Sequence, residues 1–161
     1  DVRRAAERHL TEASRSPGHP LLVLRIVASS DVADASVRQS AAVHFKNVVK
    51  KGWDESDDDD NDGPNRVVIA PADRDLIKSH LVELMCTVPP QIQAQCSEAI
   101  SLIARVDFPQ RWDNLLPELI GKFNSPDPAV VSGVLVTVNA ILRRFRYVQR
   151  SDALYRDIIY T

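Results

Sequence analysis

The sequence predicts an all-α chain made of helical hairpins. Ten prolines separate stretches in which apolar residues recur with a helical period, and proline ends helices because it has no N–H to donate. Strand signals are nearly absent, since "RVVIA" at 66–70 is the only short β-branched run, and we interpret it as a buried connector. The predicted helices are 2–14, 19–30, 36–51, 73–88, 91–106, 111–124, 128–147 and 151–161.

Three of these helices have recognisable start signals. Ser36 with Gln39 forms a capping box, in which each side chain accepts a bond from a free N–H of the first turn. Asp127 stands before Pro128, and a capping aspartate followed by proline is typical of a helix start. The Ser151-Asp152 pair opens the last predicted helix.

The odd-numbered helices repeat a common pattern. Each starts with a β-branched residue, and a mostly small pair follows one turn later, which would let neighbouring helices approach closely. The four sets are Val2, Ala5, Ala6; Val37, Ser40, Ala41; Ile92, Gln95, Cys96; and Val130, Gly133, Val134. Successive sets start 35, 55 and 38 residues apart, and a two-helix unit of about 40 residues has the HEAT/armadillo period. We therefore predict a right-handed α-solenoid of about four HEAT repeats, in which each repeat packs only on its neighbours.

The excess spacing falls on an acidic run, "DESDDDDND" at 54–62. The pattern from Asp58 to Gly63 resembles the opening of an EF-hand loop, but that loop needs Glu at position 12, where this chain has Ile69. A calcium site is therefore not expected. We predict that 54–65 is an acidic, disordered insertion within the second repeat, and a weak contact with a basic partner is the alternative.

Composition excludes several classes of protein. The 161 residues have a net charge of −2 and 44% hydrophobic residues, so a globular chain without nucleic-acid binding is expected. No apolar run has the length of a membrane span, and Cys86 and Cys96 lie in apolar helical patterns typical of buried thiols. The chain opens without Met and already in a helical pattern, so we expect it to be part of a longer protein.

Catalytic and cofactor chemistry is not predicted. The sequence has no glycine-rich phosphate loop, no nucleophile elbow and no metal-ligand spacing of His, Cys, Asp and Glu. Trp53 and Trp112 are interpreted as packing residues. We therefore assign no catalytic, cofactor or metal residue, and an enzyme is the least favoured alternative.

Several runs resemble a known family. "SVRQSAAVHFKNVVKKGW" (36–53), with "RRAAERHL" before it, resembles the N-terminal domain of the importin-β (karyopherin) family. The residues that carry this likeness are Ala6, Leu10, Pro20, Leu24, Arg38, Ala41, Asn47 and Trp53. "PPQIQAQCSEAISLI" (89–103) and "DFPQRWDNLL" (107–116) are similar to one branch, the exporters that return importin-α to the cytoplasm. The resemblance covers residues 1–161.

The resemblance implies a binding function. In this family the first helix of each pair lies outside a long superhelix and the second lies inside, and the N-terminal second helices bind the GTP form of the small GTPase Ran. It implies Ran-GTP and importin-α as partners, nucleoporin contacts for the full-length receptor, shuttling between nucleus and cytoplasm, and neither nucleic-acid binding nor membrane insertion. The alternatives are another karyopherin that acts as an importin, or a HEAT scaffold without GTPase contact.

The implied second helices are 19–30, 73–88, 111–124 and 151–161. On 73–88 the predicted buried stripe is Leu76, Ile77, Leu81, Leu84, Met85 and Val88. On 111–124 it is Trp112, Leu115, Leu116, Leu119, Ile120 and Phe123. The residues opposite these stripes, together with the polar positions of 19–30, are the candidates for Ran binding. They are Arg25, Ser29, Asp75, Lys78, Ser79, Val82, Glu83, Asp113, Asn114, Glu118 and Lys122.

Overall fold

The computed structural model describes residues 2–31, 34–54, 67 and 69–143. Its helices are α1 (Val2–Ala13), α2 (His19–Ala28), α3 (Ala35–Gly52), α4 (Pro71–Thr87), α5 (Pro90–Asp107), α6 (Leu115–Gly121) and α7 (Pro128–Arg143), with a 3-10 turn at Lys122–Asn124. No strand occurs in these ranges. The predicted last helix and the acidic run from residue 55 onward lie outside the described residues. None of the described helices is long and apolar enough to cross a membrane.

The chain forms two compact units, Asp1–His80 and Leu81–Thr161, with the boundary inside α4. In the first unit α2 and α3 run antiparallel. The His19 and His44 rings meet at one end of the pair, and at the other end Arg38 Nε donates to the Val27 carbonyl oxygen at 2.9 Å. Val27 and Phe45 are almost fully buried. These two helices belong to successive predicted hairpins, and a buried arginine holds the far end of their contact.

The connector between α3 and α4 packs against the end of α3. Val67 and Ile69 are buried and lie outside any helix or strand, which confirms the interpretation of "RVVIA" for the described residues. Arg74 Nε donates to the Ile69 carbonyl oxygen at 3.0 Å, and its guanidinium lies 5.2 Å from the centre of the Trp53 ring. Gly52 allows this approach, since a Cβ there would lie 2.7 Å from the Val67 carbonyl oxygen. Trp53 is thus a packing residue, as predicted.

In the second unit α5 and α7 pack through small and polar residues. An added Cβ on Gly133 would lie 2.5 Å from Gln93 Cδ. The Gln93 amide is itself held, because Nε2 donates to the carbonyl oxygens of Met85 and Ala129, each at 3.2 Å. The predicted repeat positions Cys96 and Val134 are buried, so the close approach predicted for these two helices is confirmed.

The same pattern is wrong for α1 and α3. Ala6 is exposed, and Val37 is 51% exposed. In α3 the buried face carries Arg38 and Ala42 instead, one residue further along than predicted. A helix turns by about 100° per residue, so one position is enough to rotate the predicted face towards solvent.

Of the helix starts predicted for α3 and α7, the first is wrong and the second is confirmed. Asp34, and not Ser36, caps α3, since its Oδ1 accepts from the Ser36 backbone N–H at 2.9 Å, and Ser36 lies inside the helix. That backbone bond lowers the pKa of the Asp34 carboxyl group. The start of α7 is as predicted, with Asp127 Oδ1 accepting from the Ala129 N–H at 2.8 Å and Pro128 in the first position.

The helix predicted at 111–124 begins four residues late, at Leu115. Residues 108–114 form a turn, in which the Arg111 N–H donates to the Asp107 carbonyl oxygen at 2.7 Å. Phe108 and Trp112 are buried at 2% and 3% exposure. Trp112 therefore packs as predicted, but from the turn before α6.

Replacing Gly133 by alanine should lower the free energy of unfolding by about 1 to 3 kcal/mol, because overpacking forces the hydrogen-bonded Gln93 to move. The matched control is Gly121→Ala at the end of α6, where an added Cβ meets nothing within 4 Å. That control should be neutral or stabilising by up to about 1 kcal/mol, since alanine favours helix over glycine. Urea unfolding measures both, and equal effects would contradict the close packing of α5 and α7.

The imidazoles of His19 and His44 form a contact whose contribution to stability depends on pH. Their Nε2 atoms are 3.0 Å apart, with the rings edge to face. Burial lowers the pKa of both rings, and the charge of His19 lowers the pKa of His44 further. His19 is also the first residue of α2, and the positive end of the helix dipole disfavours an imidazolium there. The pair is therefore neutral at pH 7.

This pair predicts a loss of stability in mild acid. Histidines of the unfolded chain have a pKa near 6.5 and take up protons at higher pH than the folded pair does. The free energy of unfolding should therefore fall as the pH drops through about 6.5 towards the lower folded-state pKa values, by about 1 kcal/mol or less because both rings are partly exposed.

The measurement is the thermal midpoint of unfolding between pH 7.5 and pH 5. His44→Gln should flatten the drop, whereas His9→Gln on the exposed surface of α1 should leave it unchanged. A drop of the same size in the His44→Gln protein would mean that other groups cause it.

Candidate partner-binding surface

The second helices of the predicted pairs, α2, α4 and α6, carry the candidate residues. On α2 the residues Val23, Leu24 and Val27 face the core. Arg25 is exposed, and no ion-pair partner for its guanidinium exists among the described residues. Ser29 caps the end of the helix and donates from Oγ to the Arg25 carbonyl oxygen at 2.6 Å. Arg25 is therefore the candidate on α2 whose charge is available to a partner.

The start of α2 is held by α4. Gly18 precedes α2 with a φ of 78°, in the left-handed region that favours glycine. Its N–H donates to Oδ2 of Asp73 at 2.8 Å, and Asp73 is buried in the first turn of α4. This bond ties the residue before α2 to the first turn of α4.

In the first half of α4 the candidates are already partnered. Lys78 Nζ lies 3.3 Å from Asp75 Oδ1, and only 14% of the Lys78 side chain is exposed. Ser79 Oγ donates to the Leu76 carbonyl oxygen at 2.9 Å. Leu76 itself is 48% exposed, so its place in the predicted buried stripe is wrong. Ile77 and Leu81 of the same stripe are buried, as predicted.

Val82 of α4 was predicted to face outward, but it is buried. Its exposure is 0%, so the predicted outward position is wrong and it does not belong to the surface. Val82 is buried beside Leu81 and Met85 of the predicted stripe, so the buried face extends past one edge of that stripe. The same error moved Ile120 of α6 into the predicted core, although it is 53% exposed.

Three candidates of the second unit form one ionic cluster, defined here as Glu83, Glu118 and Lys122. Lys122 Nζ forms a very short contact with Glu83 Oε2, and this hydrogen bond raises the pKa of the lysine. Burial raises the pKa of Glu118, the charge of Lys122 opposes that rise, and the charge of Glu83 adds to it. The cluster joins α4 to the end of α6 and contains one cation between two carboxylates.

Cys86 lies beside this cluster and is half-buried. Burial raises the pKa of its thiol, Lys122 opposes that rise, and the two glutamates add to it. Cys96 is buried more deeply, and burial raises the pKa of its thiol to about 12. Neither thiol is therefore activated as a nucleophile, since reactivity requires the thiolate.

The remaining candidates lie in the turn before α6. Asp113 and Asn114 are exposed. Asp113 Oδ1 accepts from the Asn114 backbone N–H at 2.8 Å, so this pair shapes the turn and still faces solvent. Among the described residues no group of three or more His, Cys, Asp or Glu side chains is arranged to hold a metal ion.

The polar candidate list missed four exposed apolar residues of these helices: Leu22, Ile26, Leu76 and Ile120. A signal for two of them was available in α2. Its sequence "HPLLVLRIVA" is apolar nearly all round, and a helix packed on one side cannot bury every face. For Leu76 and Ile120 the sequence shows no distinguishing signal, since both fit a helical stripe.

Together these features define an all-α chain of packed helices that exposes charged and apolar side chains on α2, α4 and α6. Residues 6–87, from α1 to the end of α4, match the model of the importin-beta N-terminal domain. The chain belongs to the importin-β family.

The individual relatives to which the chain is similar are exportins. The chain is 40% identical over 157 residues to Exportin-2 of Xenopus laevis and of Homo sapiens, and 38% identical to Exportin-2 of Danio rerio. Each alignment covers 98% of this chain but only 15% of the relative. The solved structure of the exportin Cse1 in its cargo-free, cytoplasmic state superposes with a TM-score of 0.78 at 33% identity, covering 97% of this chain and 16% of that chain. The predicted all-α, HEAT-repeat solenoid class is confirmed.

The pKa of Glu118 depends on the charges of Glu83 and Lys122, so it reports whether the ionic cluster is arranged as described. Lys122→Gln removes the cation that lowers it, so the pKa of Glu118 should rise further. Glu83→Gln removes a like charge and frees Lys122, so the same pKa should fall. Carboxyl ¹³C chemical shifts followed by NMR against pH measure both.

Asp113→Asn is the matched control, because Asp113 is exposed and bonds its own turn, and the pKa of Glu118 should not change. Shifts of the same sign in the Lys122 and Glu83 variants would contradict the arrangement of one cation between two carboxylates.

Proposed function

We propose that this chain is the N-terminal segment of a nuclear export receptor that binds the GTP form of the small GTPase Ran together with importin-α as cargo. The observation that carries the proposal is the 40% identity to Exportin-2 over 98% of the chain. The chain spans only 15% of those relatives, so importin-α contacts are shared with parts of the receptor beyond it. The receptor shuttles between nucleus and cytoplasm, with nucleoporins as further partners and without nucleic-acid binding or membrane insertion.

The proposed mechanism requires only binding by this chain and no covalent catalysis. Ran-GTP and cargo stabilise the same receptor conformation, so each raises the affinity for the other. A ligand can shift that equilibrium only by the difference in its affinity for the two states. Hydrolysis of GTP on Ran removes the favoured ligand form, and cargo is released.

The exposed faces of α2, α4 and α6 support this assignment to the GTPase. They present Arg25, Asp113 and Asn114 to solvent, together with the partly exposed ionic cluster. The division of residues 1–161 into four repeats, with an acidic insertion at 54–65 in the second, is part of the same proposal.

In the full-length receptor, binding to Ran loaded with a non-hydrolysable GTP analogue should be at least about tenfold tighter than binding to Ran-GDP. Charge reversal by Arg25→Glu or Glu118→Lys should weaken the GTP-form complex by about three- to tenfold, since each replaces an attraction across the interface by a repulsion. Lys50→Glu on the exposed surface of α3 is the matched control and should bind as the unmodified receptor does.

Importin-α affinity distinguishes the alternatives. An export receptor gains cargo affinity when Ran-GTP binds, an import receptor loses it, and a scaffold shows no preference for either nucleotide form. Loss of cargo affinity, or equal binding of the two Ran forms, would contradict the proposal.

A further inference from the structure

The turn between α1 and α2 contains a serine that is followed by a proline. Ser16 begins a type II β-turn that ends at His19, with Pro17 and Gly18 as its central residues. The His19 N–H donates to the Ser16 carbonyl oxygen at 3.1 Å, and Gly18 has φ 78° and ψ −8°, the conformation that this turn requires at its third residue. Ser16 and Pro17 are both exposed. An exposed serine directly before proline is the kind of acceptor that proline-directed protein kinases recognise.

The hydroxyl group of Ser16 is available to another protein. The Ser16 side chain makes no hydrogen bond within the described part of the chain. The nearby Ser14 differs, since it is buried and its Oγ donates to the Thr11 carbonyl oxygen at 2.7 Å. A kinase can therefore bind the Ser16 hydroxyl without breaking a side-chain bond of the folded protein.

Ser125 is the other serine or threonine of the sequence that directly precedes a proline. It is half-buried, and its Oγ accepts from the Asp127 N–H at 3.2 Å. Asp127 in turn caps α7 through its carboxylate. A phosphate on Ser125 would disturb that bond and would lie close to a negative charge. The structure therefore distinguishes two Ser-Pro pairs that the sequence presents alike.

A phosphate on Ser16 would instead lie before a helix start that has no acidic residue of its own. The first turn of α2 contains no Asp or Glu, and its N-cap, Gly18, makes no side-chain hydrogen bond. Negative charge is favoured near the N-terminus of a helix, and phosphoserine carries a charge of about −1.5 to −2 at pH 7. The Asp73 carboxylate reaches the same turn, but it is buried and already accepts from the Gly18 N–H.

We infer that the fold makes Ser16, and not Ser125, a phosphorylation site for a proline-directed protein kinase that uses ATP. In this step the γ-phosphorus of ATP forms a bond to Ser16 Oγ while its bond to the bridging oxygen of ADP breaks. ADP leaves, and the proton of the hydroxyl group passes to a base of the kinase. The inference does not rest on the proposed function, because it concerns the turn before α2 and no contact with Ran.

The test is phosphorylation of the full-length receptor by a proline-directed kinase with ATP, followed over time by peptide mass spectrometry. Ser16 should gain phosphate at least about tenfold faster than Ser125, because Ser125 must first give up its hydrogen bond and its partial burial. Pro17→Ala should slow the reaction at Ser16 by about tenfold or more, since the kinase selects a residue without an N–H after the acceptor. Any loosening of the turn by this substitution would act in the opposite direction. Pro126→Ala is the matched control and should leave the rate at Ser16 unchanged.

Synthetic peptides of residues 10–22 and 119–131 separate the effect of the fold from that of local sequence. Neither serine is held in a peptide, so the ratio of the two rates should be smaller than in the receptor. Equal or faster phosphorylation of Ser125 in the receptor would overturn the inference, as would a rate at Ser16 that Pro17→Ala leaves unchanged. The same ratio in the peptides as in the receptor would also overturn it, because the local sequence and not the fold would then select Ser16.

Discussion

The helices of this chain have more apolar surface than their neighbours can cover. A solenoid repeat contacts only the repeats beside it, so every helix keeps one face in solvent whatever its composition. In α2, where nearly every residue is apolar, that constraint leaves Leu22 and Ile26 outside. The exposed apolar residues of α2 are thus a consequence of the architecture, and a partner that covers them gains the burial that folding did not provide.

Buried polar side chains decide which face remains outside. Arg38 donates to the last turn of α2, Arg74 donates to the connector after α3, and Gln93 bridges Met85 and Ala129. A buried donor without its acceptor costs about 1 to 3 kcal/mol, so rotation of any of these helices is disfavoured. These buried side chains therefore fix which residues of each helix face solvent.

The sequence was sufficient for the class of fold and for features set by local chemistry. Proline positions, the Asp127 cap and the small residues facing each other in α5 and α7 depend on neighbours in the chain or on steric size, and they were predicted correctly. The edges of the buried face of α4 were not predictable, because apolar residues stand on both sides of the stripe that contains Ile77, Leu81 and Met85. Only packing decides between them, and it places Val82 inside and Leu76 outside. The start of α6 also depended on packing, since Trp112 is buried from a turn.

The central claim is that the exposed faces of the second helices contact the GTPase. Photo-crosslinking from a single reactive side chain placed at position 22 of α2, compared with one at position 37 of α3, tests it directly in the full-length receptor. Crosslinks to Ran in its GTP form from position 22, with few from position 37 and few to Ran-GDP from either, are the expected result. Equal crosslinking from both positions, or crosslinking from position 37 alone, would contradict the claim.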